Sequence, residues 1–232
     1  TGYKDVTFGS VQDRATCVAL QADGKILLGG TSGNTAQFFS VARLNSDGSY
    51  DSSFGTGGKV QILFSGSESF VESMAVQDDG KIVLGGYTVG GAKDFALARI
   101  NSNGSLDTTF GVNGKVVTDL LVSYSTIIKD MLIEPDGKII VSGFYSFEVD
   151  SRFCMVRYNP NGTMDTTFGT NGLTVDTNYY TSYFSNISRQ IDGKIVTAGN
   201  TFGQDFIISR YNNNGTIDTT FGTNGYVNAI PD

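Results

Sequence analysis

The sequence contains no histidine. That removes Ser-His-Asp and Cys-His catalysis and the usual zinc sites, all of which need an imidazole. Carboxylates are the acid–base groups that remain, and paired Asp/Glu side chains are the route used in glycoside cleavage. Of 23 acidic residues, eight recur in fixed motifs. The others, among them Glu68, Glu72, Asp94, Asp119, Asp130, Glu148, Asp150, Asp176 and Asp205, are scattered and read as solvated loop charge. Cys17 and Cys154 have no neighbouring base and read as small buried side chains, not a disulfide. The densest aromatic group is Tyr179, Tyr180, Tyr183 and Phe184, with Phe144, Tyr145 and Phe147 as related positions. Tyrosine faces stack on sugars and favour protein interfaces, so these residues are candidate ligand contacts; packing between repeats is the plainer reading.

Four Arg–Asp pairs at a fixed spacing of eight are the other tempting chemistry: Arg43/Asp51, Arg99/Asp107, Arg157/Asp165 and Arg210/Asp218. They could clamp an anion or a sugar. Identical chemistry four times over favours structural ion pairs, because a single ligand site draws on what differs between repeats. The turns beginning Asn45-x-Asp47-Gly48 resemble the opening of a calcium loop, but the bidentate Glu such a loop needs has no counterpart. Asx turns explain the same letters, so no cofactor is called for, and calcium is the lesser reading.

These residues sit in a fourfold repeat. Asp-Gly-Lys begins at Asp23, Asp79, Asp136 and Asp192, each time followed by an Ile-rich run that ends near glycine. Phe-x-apolar-x-Arg follows at Phe39, Phe95, Phe153 and Phe206, then Gly-[Ser/Thr]-x-Asp-x-x-Phe-Gly. Asp-Gly supplies the positive-φ positions of a tight hairpin, and the alternating segments on either side read as strands. The stretch after Phe-Gly reads as a fourth strand. No segment has a sustained 3.6-residue period, so helix is not expected. Four antiparallel strands per unit of about 56 residues point to an all-β fold, a four-bladed β-propeller.

The motifs resemble the bacterial delta-sixty repeat, a family of β-propeller repeats of large secreted or surface proteins. The resemblance implies the fold and an extracellular habit, and assigns no activity. The repeats are expected at 11–57, 58–113, 114–171 and 172–232 of one domain spanning 1–232. Asp5-Val6-Thr7-Phe8-Gly9 looks like a partial fifth copy within 1–10 that sits against the last blade and helps close the ring. Half of an eight-bladed ring is the competing arrangement. Thr1 opens no charged-then-apolar leader, which reads as a mature chain or an excised piece.

A net charge of −7 argues against nucleic acid, and no apolar run is long enough to insert in a membrane as a helix. The expected function is a non-catalytic extracellular or cell-surface module presenting variable loops to a glycan or protein ligand; self-association is a further partner class. The alternatives are a structural module of a larger surface, secreted or phage-tail assembly, and a carbohydrate-active enzyme using loop carboxylates.

Overall fold

The computed structural model describes residues 2–66, 68–120, 124–147, 150–177, 181–201 and 206–229, with the backbone alone at 147, 150, 181–185 and 229. Within them lie sixteen strands and no helix. The first blade is β1 (Arg14–Leu20), β2 (Ile26–Ser32), β3 (Phe38–Leu44) and β4 (Lys59–Ile62). The second is β5 (Glu68–Val76), β6 (Ile82–Val89), β7 (Lys93–Ile100) and β8 (Lys115–Thr118). The third is β9 (Ser125–Ile133), β10 (Ile139–Phe147), β11 (Asp150–Tyr158) and β12 (Leu173–Val175). The fourth is β13 (Thr181–Arg189), β14 (Ile195–Thr201), β15 (Phe206–Tyr211) and β16 (Tyr226–Ala229). Each set forms one antiparallel sheet in simple chain order, so the fold is the four-bladed β-propeller class.

The sheets correct the repeat boundaries. The strand after Phe-Gly pairs with the strand before it, Val60 opposite Val41 and Val116 opposite Leu97, and does not open the next repeat. The cause is a compact reversal: Phe54 N donates to Asp51 O, Gly58 N to Phe54 O, and Arg43 N to Gly58 O, which turns the chain straight back onto β3. At the Asp-Gly hairpins only the glycine has positive φ, +82° at Gly24 and +80° at Gly80. The aspartate instead accepts the amide two residues on, 3.2 Å from Lys25 N to Asp23 Oδ1. This is a type I turn closed by a left-handed glycine, not the two-residue turn with both positions positive.

The chain divides into two compact units, Thr1–Thr118 and Asp119–Asp232. In the first, Leu27, Phe39, Val41 and Phe54 of the first blade pack on Val71, Ile82, Leu84 and Ala98 of the second. In the second, Phe153, Met155 and Phe168 of the third blade pack on Ile187, Ile195, Ile207 and Tyr226 of the fourth. Period-two alternation gives each strand two apolar faces, so one blade can be covered on both sides.

The N-terminal segment, expected against the last blade, has its described contacts on the first. Lys59 Nζ donates to Thr7 O and lies 5.7 Å from the Phe8 ring centre. Lys115 makes the same pair of contacts with Leu63 O and Phe64, 56 positions on. Residues 7–8 therefore stand where a linker between blades stands, and the Asp-x-x-Phe-Gly letters at Asp5–Gly9 mark a different element from the turns they match.

Candidate functional site

The four Arg–Asp pairs form latches. Arg Nε lies 2.7–2.8 Å from Asp Oδ2 in Arg43/Asp51, Arg99/Asp107, Arg157/Asp165 and Arg210/Asp218. The other carboxylate oxygen accepts the amide and hydroxyl of Ser53, Thr109, Thr167 or Thr220. Each guanidinium stacks 4.4–4.7 Å over the ring of Phe54, Phe110, Phe168 or Phe221. Arg43 Nη1 then donates to Ser102 O at 2.5 Å in the second blade, and Arg157 Nη1 to Asn213 O at 2.7 Å in the fourth. Charge-assisted bonds and ring stacking together tie a blade to itself and to its neighbour. Burial pushes Asp107 up, but the Thr109 hydroxyl and amide and the Arg99 charge hold it down at about 2. Asp218 is also depressed, chiefly by the Lys194 ammonium.

The Asn/Asp turns are equally absorbed in structure. Asp47, Asn103, Asn161 and Asn214 each accept the amide two residues on through Oδ1, at 2.8–3.1 Å. Among the described residues no group of three or more acidic or cysteine side chains is placed to hold a metal. Cys17 and Cys154 are free thiols, each raised by burial, Cys17 to about 11.

Chemistry that differs between repeats begins at a β-bulge. In each blade the first strand skips a residue against the second at one shared position, Thr16, Glu72, Lys129 and Ser185, and the fourth blade skips Ser182 as well. A glycine sits opposite because the strands approach too closely for a side chain. A Cβ on Gly30, Gly86 or Gly143 would lie 2.0, 1.8 and 2.0 Å from the carbonyl oxygens of Arg14, Phe70 and Ile127. Bulges re-aim side chains and recur beside functional sites. In the second blade the bulged residue is Glu72, half-buried in a cleft of about 260 Å³ in the first unit. Asp13, Arg14, Gln12, Gln37, Phe70 and Tyr87 share its wall.

The cleft is organised. Phe70 and Tyr87 are cross-strand partners with stacked rings 5.0 Å apart, and the Lys93 ammonium lies 4.9 Å from the Tyr87 ring centre. Burial and the Glu72 charge raise the Tyr87 phenol, which therefore stays protonated and able to donate. Asp13 accepts Thr7 Oγ1 at 2.7 Å, Phe8 N at 2.8 Å and the Ser10 hydroxyl. Burial works against its charge, but these donors prevail and lower its pKa. Gln37 Nε2 donates to Gln12 Oε1 at 3.2 Å. A second departure from the repeat lies in the other unit, where buried Asp176 accepts the Tyr211 and Tyr226 hydroxyls at 3.0 and 3.1 Å beside a cavity of about 330 Å³.

Of the predicted aromatic contacts, Tyr145 packs edge-on against Tyr124 at 5.6 Å. Tyr179 and Tyr180 lie outside the described residues, as do the side chains of Phe147, Tyr183 and Phe184. Sequence reasoning passed over Arg14 and dispersed Glu72 among loop charges. The usable signal was substitution at one repeat position, Thr31, Tyr87, Phe144 and Asn200, each directly after the second-strand glycine.

A family model described as "Domain of unknown function (DUF5122) beta-propeller" matches residues 21–54, 77–110, 134–168 and 190–221, more than half of the chain. No curated protein matches. Among solved structures, a protein of unknown function from Dyadobacter fermentans DSM 18053 is 13% identical over 88% of this chain and 67% of its own, with a TM-score of 0.56. An exo-1,5-alpha-L-arabinanase from a bovine ruminal metagenomic library is 11% identical over 90% and 74%, TM-score 0.49. A GH43 endo-arabinanase from Bacillus licheniformis is 14% identical over 93% and 79%, TM-score 0.46. At these identities the likeness is one of fold. The expectation of a non-catalytic module is not carried further: the solved structures of similar fold include proteins titled as arabinanases, a likeness of fold that assigns no activity to this chain. That expectation treated loops as the only variable part, whereas Glu72 and Tyr87 vary on the strands themselves.

Proposed function

The chain belongs to the DUF5122 beta-propeller family, and we propose that on this scaffold it acts on carbohydrate at the Glu72 cleft. The observation that carries the reading is one cleft holding two carboxylates, Glu72 and Asp13, beside the Phe70–Tyr87 stack. In a chain without histidine, carboxylates are the side chains best suited to proton transfer at a glycosidic bond near neutral pH, and two are what that reaction uses. Glu72 serves as the proton donor and acceptor. Asp13, held ionised by its donors, supplies the second, negative carboxylate. The aromatic pair gives an apolar wall for a sugar ring, and Arg14, Gln12 and Gln37 offer hydrogen bonds to its hydroxyls.

Turnover of aryl glycosides and of arabinan, xylan and glucan tests the reading. Glu72→Gln keeps the shape of the side chain and removes its proton chemistry. Its activity should fall by about a hundredfold or more with the melting temperature unchanged. No turnover on any of these substrates, or full activity in the Glu72→Gln variant, refutes it.

A further inference from the structure

Inside the second unit, the joint between the third and fourth blades differs at one spot from the joint inside the first. The backbone frame is the same in both: Gly55 N donates to Asn103 O at 2.8 Å, and Gly169 N to Asn214 O at 2.7 Å. A Cβ on Gly104 would lie 2.8 Å from Val60 Cγ2, and one on Gly215 would lie 2.6 Å from Thr174 Oγ1, so the fourth strands stand in matching places. In the first unit hydrocarbon fills the joint. Ile62 and Ile100 are buried in the core, and Val60 packs against it. The corresponding residues of the second unit are Asp176, Tyr211 and Thr174, and Tyr226 stands where Lys115 does.

A carboxylate in the place of a core isoleucine costs free energy unless its charge is met. Asp176 is 3% exposed and accepts both the Tyr211 and the Tyr226 hydroxyl. Burial, and after it the Asp176 charge, push the Tyr211 phenol well up, so it stays protonated and donating. The Tyr211 ring is braced by Phe153, with ring centres 5.9 Å apart. The joint is nevertheless not filled. Asp176, the two tyrosines, Thr170, Thr174 and Thr177 border a cavity of about 330 Å³, in the size range of small-ligand sites, where an interior is otherwise close-packed. Asp176 carries the single formal charge among the described residues that line it. Arg152 is outside the wall and donates to the backbone, Thr177 O, at 3.2 Å. Thr170 and Thr177 are exposed, which opens the cavity to solvent.

We propose that this cavity binds a small hydroxylated amine, whose ammonium group donates to Asp176 and whose hydroxyls meet Thr170 and Thr177. An ammonium brings both N–H donors and the opposite charge to a carboxylate in a water-poor site, and such charge-assisted bonds are about twice as strong as neutral ones. A neutral polyol brings the donors alone, and an anion is repelled. Thr174 and Thr216 spend their hydroxyls on Gly215 O and Asn214 Oδ1, at 2.8 Å each, so the two exposed threonines are the groups that meet the ligand's hydroxyls. The site lies wholly within the second unit and does not rest on the Glu72 reading.

Calorimetric titration with glucosamine, glucose and N-acetylglucosamine tests this without reference to turnover. At about pH 6, below the pKa of an amine, glucosamine carries the ammonium, and the other two keep hydroxyls without the charge. Glucosamine should bind about tenfold more tightly than either. Asp176→Asn keeps the shape of the side chain and should remove that preference. Because Asp176 is buried, a second pair of variants acts from the exposed mouth. Thr177→Lys and Thr177→Glu add similar bulk and opposite charge; the first should weaken glucosamine binding several-fold and the second strengthen it, with thermal unfolding unchanged in both. Glu72→Gln should bind glucosamine as the wild type does, which separates this cavity from the cleft of the first unit. No binding of glucosamine, equal affinity for the three sugars, Thr177 variants that shift affinity in the same direction, or loss of binding in Glu72→Gln overturns the proposal.

Discussion

The latches and the bulges occupy the same blades and obey opposite rules. At the latch, Arg, Asp and Phe are identical in all four copies, and every polar atom of the Asp carboxylate is engaged. At the bulge, the same repeat position is skipped in every blade and the residue changes from Thr to Glu to Lys to Ser. The difference separates positioning from reactivity. A buried ion pair tolerates no change because removing one partner strands the other's charge, whereas a residue outside the ladder leaves the sheet's hydrogen bonds intact whatever it is.

The largest expected effect comes from breaking a latch. Arg43→Ala leaves Asp51 buried without its cation and should lower stability by about 3 kcal/mol, read as a fall in denaturant midpoint, with the cleft untouched. Arg210→Ala leaves Asp218 with the Lys194 ammonium still paired to it at 2.7 Å, and should cost clearly less. Equal losses would show that the second cation contributes nothing to the latch. Next comes the bulge scaffold. Gly86→Ala forces a methyl to 1.8 Å from Phe70 O and should cost about 2 kcal/mol while also displacing Glu72, so stability and turnover fall together. The smallest effect is on the acid limb. Asp107 has a folded-state pKa of about 2, below its unfolded value near 4. Its contribution is therefore complete above about pH 4 and is lost as pH falls toward 2. Asp107→Asn should flatten the decline in stability over that interval, followed by urea titration at each pH.

Much of this was legible in the residues themselves. Asp-Gly-Lys marked every first hairpin, and the eight-residue Arg–Asp spacing placed four ion pairs that the structure closes to 2.7–2.8 Å. The bulges were hidden because a one-residue slip does not disturb alternation within a strand; it appears only when Val71 and Ser73 are set against Gly86 and Gly85. The stretch after Phe-Gly was legible as a fourth strand, but bounds drawn at 58 and 114 cut it from its blade, because letters give order along the chain and not the direction in which a turn sends it. Tyr211 and Tyr226 meet Asp176 across 35 and 50 positions, a convergence that no local pattern encodes.

The glycine facing each bulge has an evolutionary effect as well as a steric one. By accepting the neighbouring carbonyl at a separation no methyl would allow, Gly30, Gly86 and Gly143 free a single inner position from any duty to its sheet. Duplicated blades can then diverge in charge, size and polarity at that point without relearning how to fold. A protein engineer inherits the same liberty, with sockets at residues 16, 72, 129 and 185 in which new side chains can be tried one blade at a time.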